Sequence, residues 1–181
     1  MPRVTHVKKA RKDNPACKRG ESYYWWKFRF GGKHFSKTYP RSSSLTQSSF
    51  LSQVYELNER IEDMEPESID DLRFEVESLA EEYRTLGEEC DDNLSNMPDH
   101  LQDSSDAGTL LQERVDECEN VATELESIEL DIDEDELKAE VKNDLGEDAK
   151  EDEIEEELGT RVKDKLEELL GEVQAQQYEG G

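Results

Sequence analysis

Apolar side chains recur along this chain in two rhythms. From Tyr23 to Tyr39 they are aromatic and, towards the end of the first run, alternate with cations: Tyr23-Tyr24-Trp25-Trp26-Lys27-Phe28-Arg29-Phe30, then Gly31-Gly32, then Lys33-His34-Phe35-Ser36-Lys37-Thr38-Tyr39. Two β-prone runs around paired glycines predict a hairpin, because glycine supplies the positive φ that a tight hairpin turn requires. Pleating sends successive side chains to opposite faces, so Trp26, Phe28 and Phe30 are expected on a dry face and Trp25, Lys27 and Arg29 on a basic one. The stretch before it, Met1 to Gly20, has no sustained apolar period and is broken by Pro15 and Gly20, which predicts a flexible basic arm.

After Ser42-Ser43-Ser44 the rhythm changes to steps of three and four, the mark of amphipathic helices. The first seam runs Phe50, Val54, Leu57, Ile61 and Met64, and Pro66 ends it. A second helix is expected from Ser68, whose hydroxyl can cap free N–H groups while Asp70 and Asp71 complement the dipole; its seam is Leu72, Val76, Leu79, Tyr83, Leu86 and Cys90. A polar loop from Pro98 to Asp106 leads to a third seam of Leu111, Val115, Cys118, Ala122 and Leu125. Two such helices joined by a short loop fold back as an antiparallel hairpin, although the same seams would also serve an intermolecular coiled coil. After the acidic run from Asp131 to Glu136 come a short helix through Leu137, Val141 and Leu145 and a last one through Ile154, Leu158, Val162, Leu166, Leu169 and Val173. The tail from Gln174 to Gly181 is polar and expected to fray. The fold class is therefore α+β: a small amino-terminal β-hairpin module followed by a long acidic helical region, helical hairpin or coiled coil.

Charge sharpens this division. The chain has 181 residues and a formal net charge of −26, which taken as an average argues against contact with phosphate. The average hides a reversal of sign. Residues 1–41 hold twelve Lys or Arg against Asp13 and Glu21, a net of +10, and the remainder carries −36. The expected organisation is a nucleic-acid-contacting module over 1–41, a helical hairpin or coiled coil over 42–130, and acidic helices over 131–181. With 33% hydrophobic and 39% charged residues, any core is thin. Cys17, Cys90 and Cys118 are too few for a disulfide framework, there is no CxxC pair, and no apolar run is long enough for a signal peptide or a membrane span, so a cytoplasmic protein with no membrane contact is expected.

Cations that neutralise phosphate, interleaved with aromatic faces that stack on bases, are the ingredients of nucleic-acid binding. The expected contacts are Lys8, Lys9, Arg11, Lys12, Lys18, Arg19, Trp25, Lys27, Arg29, Lys33, Lys37 and Arg41. The bland alternative is that Tyr23, Trp25, Trp26 and Phe28 only form a small core with the first helix, which leaves the +10 charge without a purpose. The run Tyr23 to Thr38 resembles the amino-terminal arm-binding domain of phage-type tyrosine recombinases, in which an aromatic strand, a Gly-Lys turn and a Ser-Lys-aromatic strand form a small sheet followed by a helix. That resemblance implies a sheet lying in a DNA groove with Lys27, Arg29, Lys33 and Lys37 towards the DNA. It covers about a tenth of the chain. A recombinase needs a catalytic domain with a tyrosine nucleophile and an Arg/His/Lys cluster, and the region after residue 42 has almost no basic residues outside helix surfaces, so recombinase activity is excluded. The opening run is also similar to small phage proteins, which implies a virus or mobile element as source and the host cytoplasm as the place of action.

The acidic region has a bland reading as solvated helix surface and two functional ones: carboxylates that imitate DNA phosphates in the basic groove of an enzyme, or a body that folds back on the basic arm. His6, His34 and His100 have no spacing that suggests zinc, the carboxylate runs lack the glycine-centred spacing of a calcium loop, and there is no phosphate loop or nucleophile elbow, so neither a metal, a cofactor nor enzymatic chemistry is expected. Two functions remain. One is a non-enzymatic accessory protein that binds nucleic acid, DNA ahead of RNA, through residues 1–41 and contacts a protein partner or itself through the helices. The other is an acidic DNA mimic that inhibits a host defence or nucleic-acid-processing enzyme.

Overall fold

The computed structural model describes residues 1–132, 134–146 and 150–178. The element order is β1 (Thr5–Val7), β2 (Tyr23–Lys27), β3 (Lys33–Ser36), a 3-10 turn (Ser42–Leu45), and helices α1 (Ser49–Glu62), α2 (Ile69–Ser95), α3 (Asp99–Gln102), α4 (Asp106–Ser127), α5 (Glu134–Leu145) and α6 (Glu151–Gln174). The chain forms two compact units that divide between Glu59 and Arg60, within α1. The packing division thus falls later than the charge break at residue 41.

In the first unit the strands form one antiparallel sheet in the order β1-β2-β3. Thr5 pairs with Trp25 and Val7 with Tyr23, while Trp25 pairs with Phe35 and Lys27 with Lys33. Two expectations are corrected here. The segment 1–20 is not a loose arm: β-branched Thr5 and Val7 occupy the free edge of β2, and the loop that follows is tied down. Asn14 Oδ1 accepts from the N–H groups of Ala16 (2.9 Å) and Cys17 (3.1 Å), Ala10 N–H donates to Glu21 O (2.8 Å) and Gly20 N–H to Ala10 O (2.9 Å). Such an Asx turn supplies locally the bonds an irregular backbone otherwise lacks. The second correction concerns the hairpin turn. Phe28 to Gly32 form a five-residue loop, and neither Gly31 nor Gly32 has a positive φ; that conformation belongs to Gly20 (φ 98) and Gly146 (φ 91). A longer loop spreads the reversal over more residues, so the dihedrals of a two-residue turn are not needed.

Trp26, Leu45, Phe50, Val54 and Leu57 are buried, together with Ala10 and Cys17. The 3-10 turn docks on α1 through buried Ser43: its hydroxyl donates to Glu59 Oε2 (3.3 Å), and Ser52 Oγ donates to the Ser43 carbonyl (3.0 Å).

The second unit is built on α2 and α4. Ser68 caps α2 as expected, its hydroxyl accepting from Asp71 N–H at 3.2 Å. Arg73 reaches Leu130 O and Asp131, Arg84 grips Glu126, and Gly87 lies against Cys118, so α4 runs antiparallel to α2. The seams therefore meet within one chain. Leu72, Val76, Leu79, Tyr83, Leu86 and Cys90 of α2 are buried, as are Cys118, Val121, Ala122 and Leu125 of α4. Each large apolar side chain among them stabilises by about 1.5–3 kcal/mol. Gly87 permits the close approach, since a Cβ there would stand 3.3 Å from that of Cys118.

Helices α5 and α6 pack together, and Val141 of α5 and Ile154, Leu169 and Val173 of α6 are buried. The segment read as a polar loop contains α3, a single turn after Pro98. The tail is corrected as well: Tyr178 is buried, burial pushes its hydroxyl up to about 12, and its backbone donates a hydrogen bond to Tyr83. One aromatic anchor outweighs the polar residues around it. Within the acidic run, Asp133 and the side chain of Glu134 lie outside the described residues, as do Glu179, Gly180 and Gly181 of the tail.

Candidate nucleic-acid interface

Strand register sorts the first unit's side chains. One sheet face carries Thr5, Val7, Tyr23, Trp25, Lys27, Lys33 and Phe35; the other carries His6, Tyr24, Trp26, His34 and Ser36. Trp25 and Lys27 do share a face, joined there by Lys33, whose Nζ stands 4.4 Å from the Trp25 ring centroid. Such a cation–π contact is worth about 0.5–1 kcal/mol at an exposed site. Lys27 and Lys33 are direct cross-strand partners, an arrangement that destabilises a sheet through like-charge repulsion. The dry face departs from expectation. Trp26 is buried, but the strand ends at Lys27, alternation stops with it, and Phe30 is 79% exposed in the hairpin tip. Around Trp26 the opposite face is aromatic: His34 stacks on it with centroids 5.4 Å apart, His6 stacks on Tyr24 at 4.5 Å, and Tyr39 meets Tyr24 edge-on at 5.6 Å.

All twelve basic residues before residue 42 are exposed. Lys8, Lys9, Arg11, Lys12, Lys18 and Arg19 are displayed by the β1–β2 loop, Lys27 and Lys33 by the strands, Arg29 by the tip and Lys37 just past β3. Arg41 sits apart, 3.7 Å from Glu59. None of the other eleven forms an ion pair among the described residues. The segment's own carboxylates are used elsewhere: Asp13 Oδ1 accepts from Arg19 N–H at 2.6 Å and Glu21 Oε2 from Lys18 N–H at 3.0 Å. They shape the loop rather than pair with the basic side chains.

The second unit treats its cations differently. Arg60 bridges Glu75 and Glu82, Arg73 bridges Asp70 and Asp131, Arg84 grips Glu126, Lys138 meets Glu151, Arg161 bridges Asp144 and Glu157, and Lys165 meets Glu168. Hydrogen bonding to Arg84 holds the Glu126 carboxyl below the usual carboxylate range. At least six of the ten basic side chains after residue 42 are thus ion-paired among the described residues, whereas eleven of the twelve before it are left open.

No family model, curated protein or solved structure matches this chain. Its function therefore has to be read from the site. Among the described residues no helix is long and apolar enough to cross a membrane, and no group of three or more His, Cys, Asp or Glu converges as a metal-holding cluster.

Behind the hairpin tip lies a cleft of about 340 Å³, walled by Lys27, Phe28, Arg29, Leu45, Thr46 and Gln47 among others. Gln47 Nε2 donates to Phe30 O at 3.4 Å, which ties the tip to the segment before α1. Phe30 and Tyr39, the latter 63% exposed, are absent from the contacts expected from the sequence. Alternation assigned Phe30 to the dry face; the signal against it was the adjacent Gly31-Gly32, which marks a loop rather than a strand.

Proposed function

We propose that this protein is a non-enzymatic nucleic-acid-binding accessory protein, with the first unit on the nucleic acid and the acidic helical unit available for a protein partner. The observation that carries this reading is the set of eleven exposed basic side chains without ion pairs among the described residues, in a chain with 48 acidic residues. Leaving so many like charges together in one small unit costs stability through repulsion, a cost that binding a polyanion reverses. Aromatic surface interleaved with the cations supports the same reading, because bases offer flat apolar faces as well as charged backbones. The exposed carboxylates of the acidic unit repel phosphate.

The test is fluorescence anisotropy of the full chain against labelled single- and double-stranded oligonucleotides over a salt series. Binding should weaken linearly in a log–log plot, with a slope of roughly 0.7–0.9 per phosphate neutralised. Replacing Lys8, Lys9, Arg11 and Lys12 together by glutamine should flatten that slope. An absence of binding to every oligonucleotide at low salt would overturn the reading.

A further inference from the structure

Resting on that reading, the hairpin tip gives it a direction. We infer that the tip is a subsite for one unpaired nucleotide of a single strand, its base stacked on Phe30 and its phosphate held by Lys27 and Arg29 in the cleft behind.

Three observations converge on it. Phe30 is 79% exposed, although Arg29 lies over its ring with Cζ 5.2 Å from the centroid. An aromatic ring this open at a loop tip, flanked by a cation, is the element from which single-strand stacking platforms are made. The tip is also held: Gln47 Nε2 bonds the Phe30 carbonyl, and Phe28 meets His34 edge-on with centroids 5.4 Å apart. A loop whose backbone is already tied down loses less freedom when a base stacks on one of its side chains. Finally, the cleft beside it carries Lys27 and Arg29, neither ion-paired among the described residues, over the apolar side chain of Leu45 and beside the hydrogen-bonding groups of Thr46 and Gln47. The cleft, about 340 Å³ and open to solvent, leaves both cations accessible to a phosphate arriving from the surface.

The choice of single strand follows from access to the base face. In a duplex each base is stacked on its neighbours, so Phe30 would reach one only by wedging a step apart, and unstacking opposes binding. In a single strand the faces are open and every base has one, which makes the subsite tolerant of sequence.

Anisotropy of the full chain tests this with labelled oligothymidylate and oligouridylate of about twelve nucleotides, long enough to fill a single-strand site, and with a duplex of the same length. Both single strands should bind more tightly than the duplex. Phe30→Ala should weaken single-strand binding by about tenfold without changing the salt slope, because stacking releases no counterions, and Phe30→Trp should restore it. Lys27→Gln with Arg29→Gln should instead lower the slope by roughly 0.7 per lost phosphate contact. Phe74→Ala, an exposed aromatic of α2 outside the site, should bind as the parent does. Duplex binding as tight as single-strand binding, or parental affinity in Phe30→Ala, would overturn the inference and leave the broader reading standing. Failure to bind any of the three probes would overturn both.

Discussion

Replacing Gly108 by alanine adds one methyl group at a place where the backbone leaves no room for it. A Cβ at this position would lie 2.0 Å from the Gln102 carbonyl oxygen and 2.7 Å from that of Leu101. Carbon–oxygen contacts settle at roughly 3.3 Å or more, so the α3–α4 connection would have to open by about 1.3 Å. The atoms in the way are backbone, which cannot swing aside as a side-chain tip can. The same connection carries the start of α4, where Ser105 Oγ accepts from Gly108 N–H at 3.0 Å and donates to Leu101 O at 2.6 Å. Overpacking of this kind costs about 1–3 kcal/mol, and a disturbed cap adds about 1 kcal/mol. Alanine's better helix propensity returns up to about 1 kcal/mol, which leaves a net loss of about 2 kcal/mol. Gly159 and Gly171 in α6 supply the internal contrast, since nothing lies within 4 Å of a Cβ at either. The identical substitution there should stabilise by about 0.5–1 kcal/mol each. Urea unfolding followed by far-ultraviolet circular dichroism reads both: with a slope of about 1–3 kcal/mol/M, the midpoint of Gly108→Ala should fall by about 1 M while that of Gly159→Ala rises. A Gly108→Ala midpoint at or above the parent's would refute the reasoning.

Two further expectations concern the second unit. Glu126 is held below its ordinary range by Arg84, so its contribution is fully present above the unfolded carboxylate's pKa of about 4 and is lost as pH falls through the folded one; the stability difference between the parent and Glu126→Gln should therefore shrink in acid, as urea titrations at neutral and acid pH would show. Tyr178, buried at the end of the chain and bonded through its backbone to Tyr83, should on truncation to alanine cost about 3 kcal/mol in thermal or urea unfolding, whereas a fraying tail would cost nothing measurable.

Much of the helical unit was legible from side-chain period alone. The α2 seam from Leu72 to Cys90 and the cap at Ser68 stand where the sequence placed them, because a helix longer than seven turns repeats its pattern often enough to leave one solution. The seam of α4 was weaker: Leu111 and Val115 are only half-buried and Val121, outside the expected set, is buried, since helix crossing rather than strict period decides which side chains the partner covers. The basic, aromatic character of residues 1–41 was equally plain, because charge and ring content do not depend on fold.

What the sequence could not determine is what long-range contact decides. A three-residue strand such as Thr5–Val7 has too few positions to show a period and exists because β2 offers it an edge. Whether the α2 and α4 seams joined within one chain or between two depended on the register that sets Arg84 opposite Glu126 and Gly87 against Cys118. Phe30 has the composition of a core residue and the position of a loop-tip one. Sequence supplied the ring and its neighbouring cation; only the tertiary structure, by ending β2 at Lys27 and tying the loop to Gln47, turned that ring outward. Local patterns set which side chains belong together on an element, while the partners that cover or expose them lie far away along the chain.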